Sequence, residues 1–209
     1  MEDVLQLYEQ PYDADLPVVC MDESPKQLIQ EVRVPVAVQP GHPARYDSEY
    51  KRNGTCCVFG FCEPKRGWRE LVVTEQRTMK DFAWGIKWLL DVVYPVASCV
   101  RLVLDNLNTH RAASLYETFA PHEARRLLDR IEWHFTPKHG SWLNMAEIEF
   151  AAMHNCCTKR RIPDIDTLKR ELAALVKRRN ETATLIRWRF TVDTARVKLD
   201  HLYPAVSCG

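Results

Sequence analysis

Leu16-Pro17-Val18-Val19-Cys20-Met21-Asp22 is an apolar run closed by a carboxylate, and the same arrangement returns at Val100-Arg101-Leu102-Val103-Leu104-Asp105. Short apolar runs of this kind read as buried strands. A carboxylate at the end of such a strand is costly to bury unless it is paired, hydrogen-bonded or bound to a cation. If the two strands are parallel neighbours, Asp22 and Asp105 stand side by side at their carboxyl ends, where ligands bind in open α/β sheets.

The flanking segments fit such a sheet. Residues 35–47 hold Pro35, Pro40, Gly41 and Pro43 and read as a loop. Residues 54–63 read as a strand, Pro64-Lys65-Arg66-Gly67 as a turn, and Trp68–Thr74 as the hairpin partner. Residues 78–92 have near-helical apolar spacing, with Thr78 as N-cap and Asp81 as its capping-box partner. Residues 112–129 read as helix split near Pro121, and 131–135 as a short strand. Helices are expected over about 142–159 and 164–180, the second capped by Asp164; the segment 183–203 is ambiguous. The order predicts an α/β fold, a mixed sheet flanked by helices, in a single domain over 1–209.

Composition narrows the class. Apolar content of 46% and charged content of 27% suit a soluble globular chain. Asp91 interrupts the longest apolar candidate before the ~18 residues a membrane span needs. The start, Met-Glu-Asp-Val-Leu, lacks the basic opening of a secretory signal. Eight cysteines without a Cys-x-x-Cys read as reduced, mostly buried thiols in the cytoplasm. Net charge is +1 but unevenly spread: residues 1–50 carry 3 Lys/Arg against 10 Asp/Glu, and the basic C-terminal segment 158–209 carries 12 against 6. Arg160, Arg161, Arg178 and Arg179 in that segment are candidate DNA-phosphate contacts, or simply a solvated helix face.

A third acid, Glu147, lies in Ser141-Trp142-Leu143-Asn144-Met145-Ala146-Glu147, just past a Pro/Gly-punctuated loop. On a helix starting near 142 it shares a face with Phe150, Ala151 and His154, whereas Glu149 lies about 200° away around the axis. Three converging carboxylates repel one another unless a cation lies between them. Two divalent ions, Mg2+ or Mn2+, held by Asp22, Asp105 and Glu147, would support phosphoryl transfer. Asn106, Asn108 and His110 directly follow Asp105 in a polar loop, a common place for functional groups. Relief of repulsion predicts that Asp105→Asn stabilises the metal-free protein.

Rival constellations are weaker. His154, Cys156 and Cys157 with His134 or His139 match no common zinc pattern. Ser24 and Ser141 lie outside any nucleophile elbow, and no phosphate-binding glycine motif argues for a nucleotide cofactor.

Cys20-Met21-Asp22-Glu23, Tyr50-Lys51-Arg52-Asn53-Gly54-Thr55, Leu104-Asp105-Asn106-Leu107-Asn108-Thr109-His110 and Trp142-Leu143-Asn144-Met145-Ala146-Glu147-Ile148-Glu149 resemble mariner-like bacterial insertion-sequence transposases, endonucleases of the DDE superfamily. Trp188-Arg189-Phe190-Thr191 and Lys198-Leu199-Asp200-His201-Leu202-Tyr203-Pro204 fit as well. The resemblance implies a ribonuclease-H-like fold, magnesium or manganese dependence, and cut-and-paste chemistry on double-stranded DNA, at transposon ends and target, in the bacterial cytoplasm at the nucleoid. It implies a homodimer that pairs two ends. Asp22, Asp105 and Glu147 match the catalytic, metal-holding acids. Met145-Ala146 replaces the Pro-Ile of many relatives, which leaves Glu149 as a fallback third acid. His139 and Asn144 match supporting or DNA-contacting positions. The helix-turn-helix module of longer relatives is expected to be absent from this chain, which begins almost at the first catalytic strand. Two alternatives stand beside a transposase: a general ribonuclease-H-like nuclease, and a catalytically silent DNA-binding or regulatory fragment.

Overall fold

The computed structural model describes residues 1–43, 45 and 47–203; Ala44 and Tyr46 of the expected loop, Pro204 of the closing motif and Cys208 lie outside the described residues. Among the described residues, five strands form one sheet in the order β3-β2-β1-β4-β5. They are β1 (Val18–Glu31), β2 (Tyr50–Glu63), β3 (Trp68–Thr74), β4 (Val100–Leu104) and β5 (Ile131–Phe135). The first three are antiparallel neighbours, whereas β1, β4 and β5 run parallel. The expected hairpin and the expected pairing of the two Asp-terminated runs are both present.

One boundary differs instructively. β1 does not stop at Asp22 but continues to Glu31. Its pairing with β4 covers only Val18–Cys20, and beyond that it pairs with β2 alone. Pro25 therefore sits in an edge portion, where a missing N–H leaves no ladder bond unmade.

Among the described residues, seven α-helices flank the sheet. α1 (Glu2–Glu9), which the sequence reading did not anticipate, and α7 (Val192–Lys198) pack with Cys20, Cys62 and Val103. α2 (Met79–Trp88), α3 (Ala112–Thr118) and α4 (Pro121–Leu128) cover the opposite face, over Val19, Phe59, Phe61 and Leu102. α2 opens with the reciprocal Thr78–Asp81 capping box. Ala120 is extended before Pro121, as a residue preceding proline prefers, and Pro121 starts α4 without losing an intrahelical bond. α5 (Ala146–Met153) and α6 (Ile165–Glu181) close the first face, burying Phe150, Met153, Leu168 and Leu172 on Val58 and Val73.

The long helix expected over 142–159 is broken. Ser141–Leu143 forms a single 3-10 turn and Asn144 is extended. The buried Asn144 amide donates to the Met21 carbonyl at 2.7 Å, and its oxygen accepts from the Ala146 N–H at 3.1 Å. That side chain competes with the helical backbone and starts α5 afresh.

Candidate active site

Strand register brings the first two acids together. Cys20 pairs with Val103, so Asp22 and Asp105 each lie two residues beyond the same rung and on the same face. That face carries α5. Asp22 pairs across β1–β2 with Gly60, where a Cβ would come within 2.8 Å of the Phe150 ring. The missing side chain lets α5 approach the sheet at this point. Glu147, one turn before Phe150, is exposed at the start of the helix.

Asp22 is buried, and among the described residues the one hydrogen bond to its carboxylate comes from the Glu23 N–H at 2.8 Å. Burial first, then the charges of Asp105, Glu147 and Glu23, push its pKa up to about 7 against that bond. No Lys or Arg lies within ion-pair distance of it among the described residues. Asp105 behaves oppositely. Its hydrogen bond with His110, 2.7 Å from Nδ1 to Oδ1, holds its pKa below the ordinary value. Fully buried His110 also reaches Glu23 through Nε2 at 2.8 Å. Burial opposes its charge, but the hydrogen bonds with Asp105 and Glu23 prevail and raise its pKa to about 9. The ring is thus an imidazolium donating from both nitrogens. The expectation that Asp105→Asn would stabilise the metal-free protein is corrected: Asp105 is the charge partner of His110, and the strained acid is Asp22.

Glu149, the fallback third acid, faces elsewhere. It is buried against Arg69, with Nε 3.3 Å from Oε1, and accepts from Arg179 Nε and Nη2 at 3.0 Å each. Arg179 is therefore an internal ion-pair partner. Arg161 pairs with Glu31 at 2.5 Å, Arg160 with Glu171, and Arg178 is exposed.

Asn106 donates to the Thr136 carbonyl at 3.0 Å, joining the loop after β4 to that after β5. Asn108 accepts from Arg111 at 3.2 Å. His139 is exposed with φ 63°, on the rim of a cleft of about 250 Å3 that also includes Asp105, Asn106 and Ser141. His134 pairs with Asp3, away from Cys156 and Cys157, which removes the zinc alternative drawn on it. Among the described residues no three His, Cys, Asp or Glu side chains stand together as a ready-made metal cluster. The donor set still fits a hard divalent cation: it consists of oxygen ligands, and Asp22 is buried beside like charges with no cation of its own. Glu23 was missed as the second carboxylate on His110; strand alternation, which sends it to the face opposite Asp22, was the available signal.

No helix among the described residues is long and apolar enough to cross a membrane. A family model described as DDE superfamily endonuclease matches residues 17–169. The Mos1 mariner paired-end complex with Mn superposes with a TM-score of 0.54 at 16% identity, over 87% of this chain and 54% of that one. A pre-cleavage Mos1 transpososome gives 0.50 at 16% identity, over 87% and 58%. This chain thus spans little more than half the length of those structures, and at that identity the likeness is one of fold. No curated protein matches. With its antiparallel hairpin set beside two parallel strands, and Asp22 and Asp105 just past the parallel pairing of β1 and β4, the chain has a ribonuclease-H-like fold and belongs to the DDE superfamily endonucleases.

Proposed function

We propose that this domain is the catalytic part of a DNA transposase, cleaving double-stranded DNA and joining the freed end to a target. The observation that carries the reading is Asp22: a buried carboxylate without a counter-cation, beside Asp105 and within electrostatic reach of Glu147. Asp22, Asp105 and Glu147 would hold Mg2+ or Mn2+. Bound there, two such ions would activate the attacking hydroxyl and neutralise the leaving oxygen.

The chain's own residues supply the rest. The sheet fixes Asp22 and Asp105 through backbone register. His110 orients Asp105 and shields it from Glu23. Asn144 ties the start of α5 to Met21, so Glu147 is anchored to the strand that carries Asp22. Glu147 completes the set by rotation of its exposed side chain. Family membership and the fold shared with mariner transposase support DNA as substrate and a dimer pairing two ends.

Calorimetric titration with manganese tests the reading. Wild type should bind and Asp105→Ala should not, and wild type should then nick and join a duplex carrying the element's ends. Metal binding with nicking but no joined product would favour a general nuclease. Unchanged behaviour of Asp105→Ala in cells would favour a silent regulatory fragment.

A further inference from the structure

The far half of β1 carries a second feature. Lys26 lies four residues past Asp22 on the same strand face, about 13 Å along it. It pairs across the strand with Cys56, whose side chain belongs to the α5–α6 core. α5 runs alongside, from Glu147 near Asp22 to its end at His154. Lys26 and His154 line a cavity of about 320 Å3 together with Lys159, Arg160 and Arg161, and no acidic residue among the described residues lines it. A neighbouring cavity of about 530 Å3 shares Lys159, Arg160 and Arg161 and, among the described residues, adds Glu31, which Arg161 already pairs. Arg160 is paired with Glu171, but among the described residues Lys26 and Lys159 have no ion-pair partner.

We infer that this groove, leading from the candidate acids along β1 and α5 to Lys26 and Lys159, carries the phosphate backbone of a DNA duplex away from the point of cleavage. A distance of ~13 Å corresponds to roughly four base-pair steps at 3.4 Å. A duplex whose scissile phosphate sits at Asp22 and Asp105 and whose axis follows β1 spans the position of Lys26 within those steps. The bulge between Gln27 and Ile29 bends β1 just beyond Lys26. The inference rests on the proposed function for its polymer, but its test reads binding alone.

Binding of a 20-base-pair duplex of arbitrary sequence should be followed by fluorescence anisotropy across a salt series without divalent metal. Lys159→Gln, an exposed change that leaves the core intact, should flatten the log–log salt slope by about 1. Lys26→Gln with Lys159→Gln should flatten it by about 2 and weaken binding roughly tenfold at moderate salt, with manganese affinity unchanged. Lys80→Gln with Arg125→Gln, on helices of the opposite face, should leave the slope as in wild type. An unchanged slope in both groove variants, or an equal loss in the control pair, overturns the groove. Groove-dependent DNA binding without manganese-dependent cleavage would break the catalytic reading alone.

Discussion

α5 carries two glutamates in opposite surroundings, and the contrast between Glu149 and the Asp22 region separates a carboxylate balanced by cations from one that faces only like charges. Glu149 is buried and balanced by Arg69 and Arg179; Arg69 is itself held by the carbonyls of Gly67, Arg179 and Thr184. Asp22 is almost as buried, yet it faces Asp105 and Glu147 and accepts one backbone bond. A buried ion pair loses heavily when one partner goes. A buried acid among like charges loses nothing in the metal-free fold when its charge goes, because the charge was already unfavourable. The first arrangement fastens α6 to β3; the second leaves the Asp22 charge uncompensated among its neighbours.

The sharpest way to break that contrast is by activity. Asp22→Asn, Asp105→Asn and Glu147→Gln should each lower manganese-dependent strand cleavage by about a thousandfold or more, because several kcal/mol of charge stabilisation disappears. Retained cleavage in Glu147→Gln would remove it from the site. Glu149→Gln should act instead on the fold, costing about 3–5 kcal/mol in a denaturant melt by leaving Arg69 unpaired in the interior. A stable Glu149→Gln protein that no longer binds manganese would reverse the assignment of the two glutamates.

Asp22→Asn tests the other side. The folded-state pKa of Asp22, about 7, lies above its ordinary value of 3.8. As pH rises, the unfolded chain releases this proton first, so the acid costs the metal-free fold nothing below pH 4 and progressively more up to pH 7. Above that, Asp22→Asn should be the more stable protein by about 2–4 kcal/mol, with no advantage at pH 4. Saturating manganese should shrink the gap by stabilising wild type alone. A metal-free Asp22→Asn protein that melts below wild type at pH 8 would contradict the uncompensated-charge account. Asp105→Asn should move the opposite way, destabilising the fold because His110 loses its partner.

How much of this could be read without coordinates depended on range in the chain. Local signals served well: Thr78 with Asp81, Pro121, Asp164 before α6 and the turn at Pro64–Gly67 each announce their element within a few residues. The pairing of the Val18 and Val100 runs followed from their shared apolar character, and their register carries Asp22 and Asp105 to one level. What stayed hidden needed distant partners. Nothing near Glu149 in the chain predicts Arg69, eighty positions earlier, so the basic character of Arg179 suggested solvent or phosphate rather than a buried carboxylate. α1 was missed because what marks it is the burial of Val4, Leu5 and Leu7 in the interior cluster around Cys20, a distant partner. The break at Asn144 depends on a bond to Met21, 123 residues away.

The smallest predicted effect links both regions through packing. Phe150 follows Glu149 directly and Glu147 by one turn on α5, and rests on Gly60, the cross-strand partner of Asp22. A methyl at position 60 would stand 2.8 Å from Phe150 Cε1 and 3.4 Å from Leu71 Cδ2. The ring belongs to the packed cluster of Val58, Met153 and Leu172, so Gly60→Ala is expected to push α5 off the sheet. Overpacking of this kind costs about 1–3 kcal/mol. Because Glu149 remains clamped by two arginines, the helix should tilt about that end, and the displacement should fall on Glu147. Gly60→Ala is therefore expected to weaken manganese binding more than its modest loss of stability explains, and Phe150→Leu in the same chain should restore both by making room. A Gly60→Ala protein with a lowered melting temperature but wild-type manganese affinity would show that Glu147 keeps its place independently of Phe150, and that Asn144 alone sets the start of the helix.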